Sequence, residues 1–432
     1  MGVMVVRISI VCAVLTACTF NTDTQLQGSN NDSGAVDARI PDGQVTDGST
    51  IDAVMTDAVM ADAAIADAMI PLDAMTPPDA MIPPDAMQCI GGLVGFDMLN
   101  LDRCDPEDAI GALALSMGGT YGLNTTTGAF TAPDGTSVDY ISTSVSQSTP
   151  GVPELFVVST TGFAIANDSR LLVRGARALV IVSTGNIVIR GKLRVFGREF
   201  DGAGGNNSDD CMLRTGESGE SDLLSPSLGG GGGGFAQAGG DGGRVGGLDL
   251  TAPLSGGAAE TDNDLVPLRG GCRGGRGGRT GGGAGGGAGG AIELIAGGSI
   301  SVLNDGYISV SGGRGRGISD TSSGGGGGGS GGGILLQSTS NVITGILTSN
   351  GGGGGEGSRT NTSTVSGQHG HHSNGDPALG GGDSSSGGDG GSGGTNAALG
   401  GVTPANGQNG EQAGSAGGGG GGGAGYVVLV TE

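Results

Sequence analysis

The stretch "ALVIVSTGNIVIRGKLRVFG", residues 178–197, decides the fold, because three aliphatic bursts follow one another with almost nothing between them. "LVIV", "IVI" and "LRV" each alternate with period two, and steps of six to eight residues suit successive sides of a coil better than hairpins. The layout returns twice. "AIELIAGGSISVLNDGYISVSG" (291–312) and "GILLQSTSNVITGILTSNG" (333–351) again give an aliphatic strand, a small-residue turn, a second strand, a turn, a third strand and a glycine. Copies of this kind stack through parallel backbone hydrogen bonds at about 4.8 Å and bury their inward aliphatics in one column. The expected class is all-β, a short right-handed parallel β-helix (β-solenoid). Ile187, Ile189, Ile300, Val302 and Ile308 are expected to face inward and Ser301 outward.

Outward from these copies, the glycine-rich stretches 198–290, 313–332 and 352–425 each leave after the third strand and so emerge from one edge, while "GYVVLVTE" supplies a last strand at 425–432. Most of the 101 glycines lie after residue 196. They keep no Gly-X-Y period and come with almost no proline, which excludes collagen. Two readings of the inserts stand side by side. They are flexible polar loops, as glycine's entropy favours; or the pure runs at 281–290, 324–333 and 417–423 lie together as extended polyglycine helices. In the second reading, a threefold repeat places Arg273, Arg276 and Arg279 along one edge, within reach of carboxylates.

The aliphatic bursts extend back to about Pro153, so residues 153–432 read as the glycine-rich solenoid and 89–152 as a small cap. In the cap, Asp105, Pro106, Glu107 and Asp108 combine an N-cap, a first-position proline and first-turn acids, predicting one helix over 106–117 that ends at Gly118 and Gly119. Residues 18–88 read as a tether. Aspartates recur every five residues from Asp32 to Asp67 and every six at Asp73, Asp79 and Asp85, usually followed by alanine or glycine. A five-residue step wraps the charges around a helix instead of aligning them. Self-repelling aspartates and late prolines favour an extended spacer, reaching at most ~200 Å at ~3.1 Å per residue.

Residues 1–17, "MGVMVVRISIVCAVLTA", carry Arg7 before a short apolar run and read as a secretory signal peptide. Leu15, Thr16, Ala17 and Cys18 fit a bacterial lipobox, with Cys18 as the lipidation site. The expected partner is a membrane reached through that N-terminal lipid. The expected location is the outer membrane, exposed at the cell surface. Four cysteines then remain, and an oxidising envelope favours disulfides. They permit three connectivities; sequence proximity favours Cys89–Cys104 and Cys211–Cys272.

A net charge of −23, a single lysine (Lys192), no tryptophan and 3% aromatics argue against a nucleic-acid partner, despite the RGG-like run at 269–279. No phosphate-binding loop is present, because Lys192 lies in a predicted strand, and no cofactor is indicated. The histidines of "SGQHGHHSNGD", His369, His371 and His372, could share a metal with Asp376, or form a solvated loop cluster.

Taken together, the lipobox, the "PPDA" tether, the coil at 178–197, "GGAIELIAGGSISV", "GGGILLQSTSNVITGILTSNGGGGG" and "GGGGGGAGYVVLV" resemble the glycine-rich surface lipoproteins of myxobacteria and related deltaproteobacteria. The resemblance runs through nearly the whole chain and implies a β-solenoid at the cell surface, without a reaction. The "HGHH" cluster and the Arg/Gly run depart from that family's pattern.

The function expected is therefore structural or adhesive, not enzymatic, with surface glycans or neighbouring cells as partners. A polysaccharide-cleaving β-helix enzyme is one alternative, needing carboxylates and a base on one outward face. Arg190, Lys192 and Arg194 supply the bases on 178–197, but the copy at 333–351 carries no charge. A metal- or glycan-binding surface module is the other alternative.

Overall fold

The computed structural model describes residues 94–432 except 103, 110, 198–201, 206–210, 212, 221–226, 248–251, 262–263, 319–321, 360–363, 373–374, 383–386, 396–402 and 412–414. The signal peptide, Cys18, the tether and Cys89 lie outside the described residues. Among those described, no helix is long and apolar enough to cross a membrane.

Fifteen strands are described. Before the first insert come β1 (Ala112–Leu115), β2 (Gly119–Asn124), β3 (Ala129–Thr131), β4 (Ile141–Val145), β5 (Leu155–Thr160), β6 (Gly162–Ile165), β7 (Ser169–Arg174), β8 (Ala178–Ser183), β9 (Ile187–Ile189) and β10 (Lys192–Arg194). Between inserts lie β11 (Ala291–Val302), β12 (Tyr307–Ser309), β13 (Gly333–Ile343) and β14 (Ile346–Thr348), and β15 (Tyr426–Thr431) closes the chain. They form two mixed sheets, antiparallel only at β2–β3 and β4–β5.

The parallel register lines up like residues. Leu179, Ile292, Ile334 and Val427 occupy one rung from β8 to β15. Phe163, Ile187 and Ile300 occupy another, and Leu171, Leu193, Ile308 and Leu347 a third. Ile187, Ile189, Ile300, Val302 and Ile308 are all fully buried in one cluster, whereas Ser301 is half-buried, as the alternation requires. The strands preceding the inserts, β10, β12 and β14, are consecutive neighbours in the second sheet, so the inserts depart from adjacent levels.

The outer face of β5, β8, β11 and β13 is buried too. Leu155, Val157, Val180, Val182, Ile295 and Leu335 meet Val94, Phe96, Met98 and Leu101 from upstream and Phe235, Leu265 and Leu268 from the first insert. That second layer explains why β8 has no exposed position.

Two expectations upstream are corrected. The helix over 106–117 is absent among the described residues: 106–109 are not helical, and Ala112–Leu115 is strand β1, paired in parallel with β6. A helix cap contributes about 1 kcal/mol, less than burying Leu115 in the inner cluster together with a ladder of backbone hydrogen bonds. Nor are residues 112–145 a separate cap, since β1 and β2 continue the stacks of β6 and β7 and β4 pairs with β5.

The described glycine runs of the inserts are ordered, and their backbone hydrogen bonds recur every third residue. In the run 324–332, Gly324, Gly327 and Ser330 donate to the carbonyls of Gly278, Gly275 and Cys272; Gly325, Gly328 and Gly331 donate to Gly417, Gly420 and Gly423; Gly326, Gly329 and Gly332 donate to Arg316, Gly313 and Val310, all at 2.8–3.1 Å. The same run accepts from Gly230 and Gly233, from Gly283, Gly286 and Gly289, and from Gly352 and Gly355. Six neighbouring runs therefore surround it, the arrangement of parallel and antiparallel helices with three residues per turn packed hexagonally. The run 416–425 is enclosed in the same way: Gly419, Gly420 and Gly421 donate to Gly355, Gly230 and Ala405, while Gly328, Gly243 and Gly391 donate to it. Runs 281–290, 324–333 and 417–423 do lie side by side.

Apart from Ser330, whose hydroxyl accepts from the Cys272 N–H, only glycine occupies the central run. A Cβ on Gly328 would overlap the Gly352 carbonyl, and one on Gly420 the Gly240 carbonyl. With side chains gone, the backbone polar groups become the packing surface, and each central N–H finds an acceptor. Cys211 and Cys272 are joined, with Cα atoms 5.6 Å apart, pinning the first insert as the sequence suggested. Cys104 is likewise disulfide-bonded.

Candidate functional site

The chain's cations gather where the fold turns them outward. On β7 and β10 the buried Leu171 and Leu193 alternate with Arg170, Lys192 and Arg194, and the register sets Arg170 beside Lys192 and Lys192 beside Tyr307 of β12. Arg190 lies exposed in the turn leading into β10. A basic row in the sequence thus becomes a basic face on β7, β10 and the turn before β10. Among the described residues none of these four cations is ion-paired, in contrast to Arg177 with Glu154 (2.8 Å) and Arg269 with Glu260 (2.8 Å). Exposed Asp168 and Asp305 stand in the turns leading into β7 and β12.

Several contacts hold the face in shape. The Arg194 guanidinium lies 5.2 Å from the Tyr307 ring centre and 5.8 Å from that of Phe196, and its Nε donates to the Tyr307 hydroxyl. Arg170 donates from Nε and Nη2 to Thr120 Oγ1 at 3.2 and 2.8 Å. Phe196 meets His372 edge to face at 4.6 Å, and His372 Nδ1 is 3.2 Å from Ser309 Oγ. Burial first, and the nearby Arg194, His369 and His371 after it, push the His372 pKa down to about 3. This imidazole is therefore neutral at physiological pH and adds no charge to the face.

The metal set expected at His369, His371, His372 and Asp376 is not formed: among the described residues no three His, Cys, Asp or Glu side chains are grouped to hold an ion. The cause lies in the geometry of an extended run. His369 and His372, three residues apart on such a run, rise by about 9 Å, too far for one metal. Their engagements diverge accordingly, with His369 Nδ1 accepting from the Arg314 N–H at 3.3 Å while His372 turns to Ser309 and Phe196.

Arg273 and Arg276 sit exposed at every third position of their run, with Arg279 half-exposed next, as the threefold reading requires. Arg276 Nε donates to the Gly282 carbonyl at 3.2 Å, and Arg279 Nη1 reaches the Ser322 carbonyl at 3.4 Å. The RGG-like run is thus a folded edge of the glycine bundle.

One titratable group was missed by reading the sequence. Glu293 stands on the outer face of β11 between Ala291 and Ile295, opposite Val180 and Leu335, and is fully buried. Asn100 Nδ2 donates to its Oε2 at 3.1 Å, while Oε1 has no partner. Burial pushes its pKa up to about 8 despite that hydrogen bond. The only hint in "AIELIAG" is a lone acid inside an aliphatic run.

The chain matches no protein-family model, no curated protein and no solved structure. The site must therefore be read from its own geometry.

Proposed function

We propose that this protein is a structural or adhesive lipoprotein of the cell surface, anchored through Cys18 to the outer membrane and held away from it by the acidic tether. In this reading the parallel strand stacks are successive turns of a short right-handed β-helix, and the glycine bundle is a rigid head fused to its edge. The observation that carries the proposal is the enclosure of run 324–332 by six hydrogen-bonded neighbours. A body packed through its backbone resists local opening, because no side chain has to reorganise and every N–H in the centre is committed. Such a head suits a mechanical or adhesive task better than catalysis, which needs side chains preorganised around a reacting atom. The lipobox and the resemblance to glycine-rich surface lipoproteins support the location.

The test has two arms on cells producing the full chain. Cys18→Ser should move the protein from the detergent-soluble membrane fraction to the medium or periplasm, since the lipid is its proposed hold on the membrane. Cells displaying the native chain should attach to surfaces or to one another more strongly than cells carrying Gly328→Ala. Retention of Cys18→Ser in the membrane, or equal attachment by both strains, would sink the corresponding half of the reading.

A further inference from the structure

We propose that the cationic face formed by Arg170, Arg190, Lys192 and Arg194 binds an acidic polysaccharide, gripping carboxylate or phosphate groups spaced along the sugar chain. This deepens the adhesive reading and rests on it for the biological setting alone.

Three observations carry it. First, these cations have no ion-pair partner among the described residues, although the chain as a whole carries −23. Second, the β-register fixes their spacing: Arg170 and Lys192 are one strand apart, about 4.8 Å, and Lys192 and Arg194 are two residues apart, about 6.6 Å. One step runs across the strands and the other along them, so the cations form a cluster that meets several acid groups of a sugar chain at once, not a single point anion. Third, the face is preorganised. Arg194 is held by the Tyr307 hydroxyl and ring, and Arg170 by Thr120, so little side-chain freedom is lost on binding. A guanidinium held flat presents paired N–H groups to a carboxylate or phosphate.

The face also extends. Gly197 donates to the Ser311 carbonyl at 3.1 Å, so β10 and β12 run on together toward exposed Arg314. A linear polymer fits that line. Nucleic acid fits it poorly, because one charge per ~1.7 Å of duplex meets the long-range repulsion of a strongly acidic protein. Asp168 and Asp305, at the turns, would add to that repulsion while leaving room for a sparser chain of acids.

The experiment uses the full-length protein in detergent over immobilised polygalacturonate, a phosphomannan, neutral dextran and single-stranded DNA. Binding to polygalacturonate or phosphomannan, weakening with salt, is expected, and the two arms show which oxyanion is preferred. Lys192→Ala with Arg194→Ala should lower affinity at least tenfold with an unchanged melting temperature. If that pair melts early, Lys192→Glu, at an exposed position, serves in its place with the same expected loss. No binding to either acidic glycan, equal binding to dextran or DNA, or full affinity in the variants would overturn the proposal. Cells that adhere although the purified protein binds neither glycan would remove this inference and leave the adhesive function standing. Glycan binding without any cell attachment would do the reverse.

Discussion

Asn100 donates its side-chain amide to the Glu293 carboxyl across 3.1 Å, tying the segment before β1 to the middle of the sheet through a largely apolar layer. The bond satisfies one oxygen of a fully buried acid and leaves the other without a partner. Such a group is tolerated because it stays protonated.

A pH dependence follows, with a definite sign. The ordinary carboxyl value is 4.5 and the folded one about 8, so between these values the native state holds a proton that the unfolded state has released. Stability attributable to this site is complete below about pH 4.5, falls as pH rises toward 8, and levels off above it. At about 1.36 kcal/mol per pKa unit the loss reaches several kcal/mol. Glu293→Gln keeps an amide able to bond Asn100 and cannot titrate. Urea midpoints for the two proteins should nearly coincide at pH 5 and separate in favour of the variant at pH 8.5. A constant difference across that range would refute the assignment.

Gly328→Ala should cost several kcal/mol, because its Cβ would overlap the Gly352 carbonyl where backbone fills all available space. Gly375→Ala, with nothing within 4 Å of the added carbon, should change stability by less than about 0.5 kcal/mol. Denaturation midpoints check the pair, and equal effects would mean that the centre is not packed through its backbone.

Ile300 is fully buried on the same rung as Phe163 and Ile187, whereas Ser301 shares its outward rung with Val188 and with Val342, which is 43% exposed. Ile300→Asp should therefore cost several kcal/mol, as an unpaired charge in an apolar column, and Ser301→Asp little. Comparable losses in thermal melts would contradict the inward–outward alternation.

The strand stacks were legible because aliphatic alternation records which face is buried. Leu179, Ile292 and Ile334 occupy matching places in the sequence copies and the same rung in the sheet. The glycine bundle was half legible, since glycine has no side chain with which to record a face. Its edges do leave a trace: Arg273 and Arg276 show which third of the run meets solvent, whereas 324–332 admits only glycine and Ser330 in all three phases because every phase meets another backbone. The helix at 106–117 failed because its capping signal is local and the edge of β6, which recruits Ala112–Leu115, is distant in sequence. The basic face escaped assembly for a similar reason. Lys192 and Arg194 are visible as a pair, but Tyr307, His372 and Thr120, which hold or flank them, come from three other parts of the chain.

The Cys211–Cys272 bridge closes a loop with a sequence separation of 61, and in the chain-entropy model such a loop removes roughly 4 kcal/mol of denatured-state freedom. The enclosed segment supplies Gly229–Gly234, whose N–H groups alternate among three neighbouring runs; the Gly271–Arg279 edge that pairs with them continues beyond the bridge. The bridge sits at one end of that edge, beside Ser330, whose hydroxyl accepts from the Cys272 N–H at 2.8 Å. Reduction should therefore loosen the arginine edge before the central run. In hydrogen exchange, the amides of Gly274, Gly275, Gly277 and Gly278 should lose protection on adding reductant. Those of Gly326, Gly329 and Gly332, which donate to the run at 310–316, should stay protected much longer. Uniform loss in both sets would mean that the bundle opens as one unit and the disulfide holds all of it; no loss in either would mean that the glycine lattice holds the insert without the bridge.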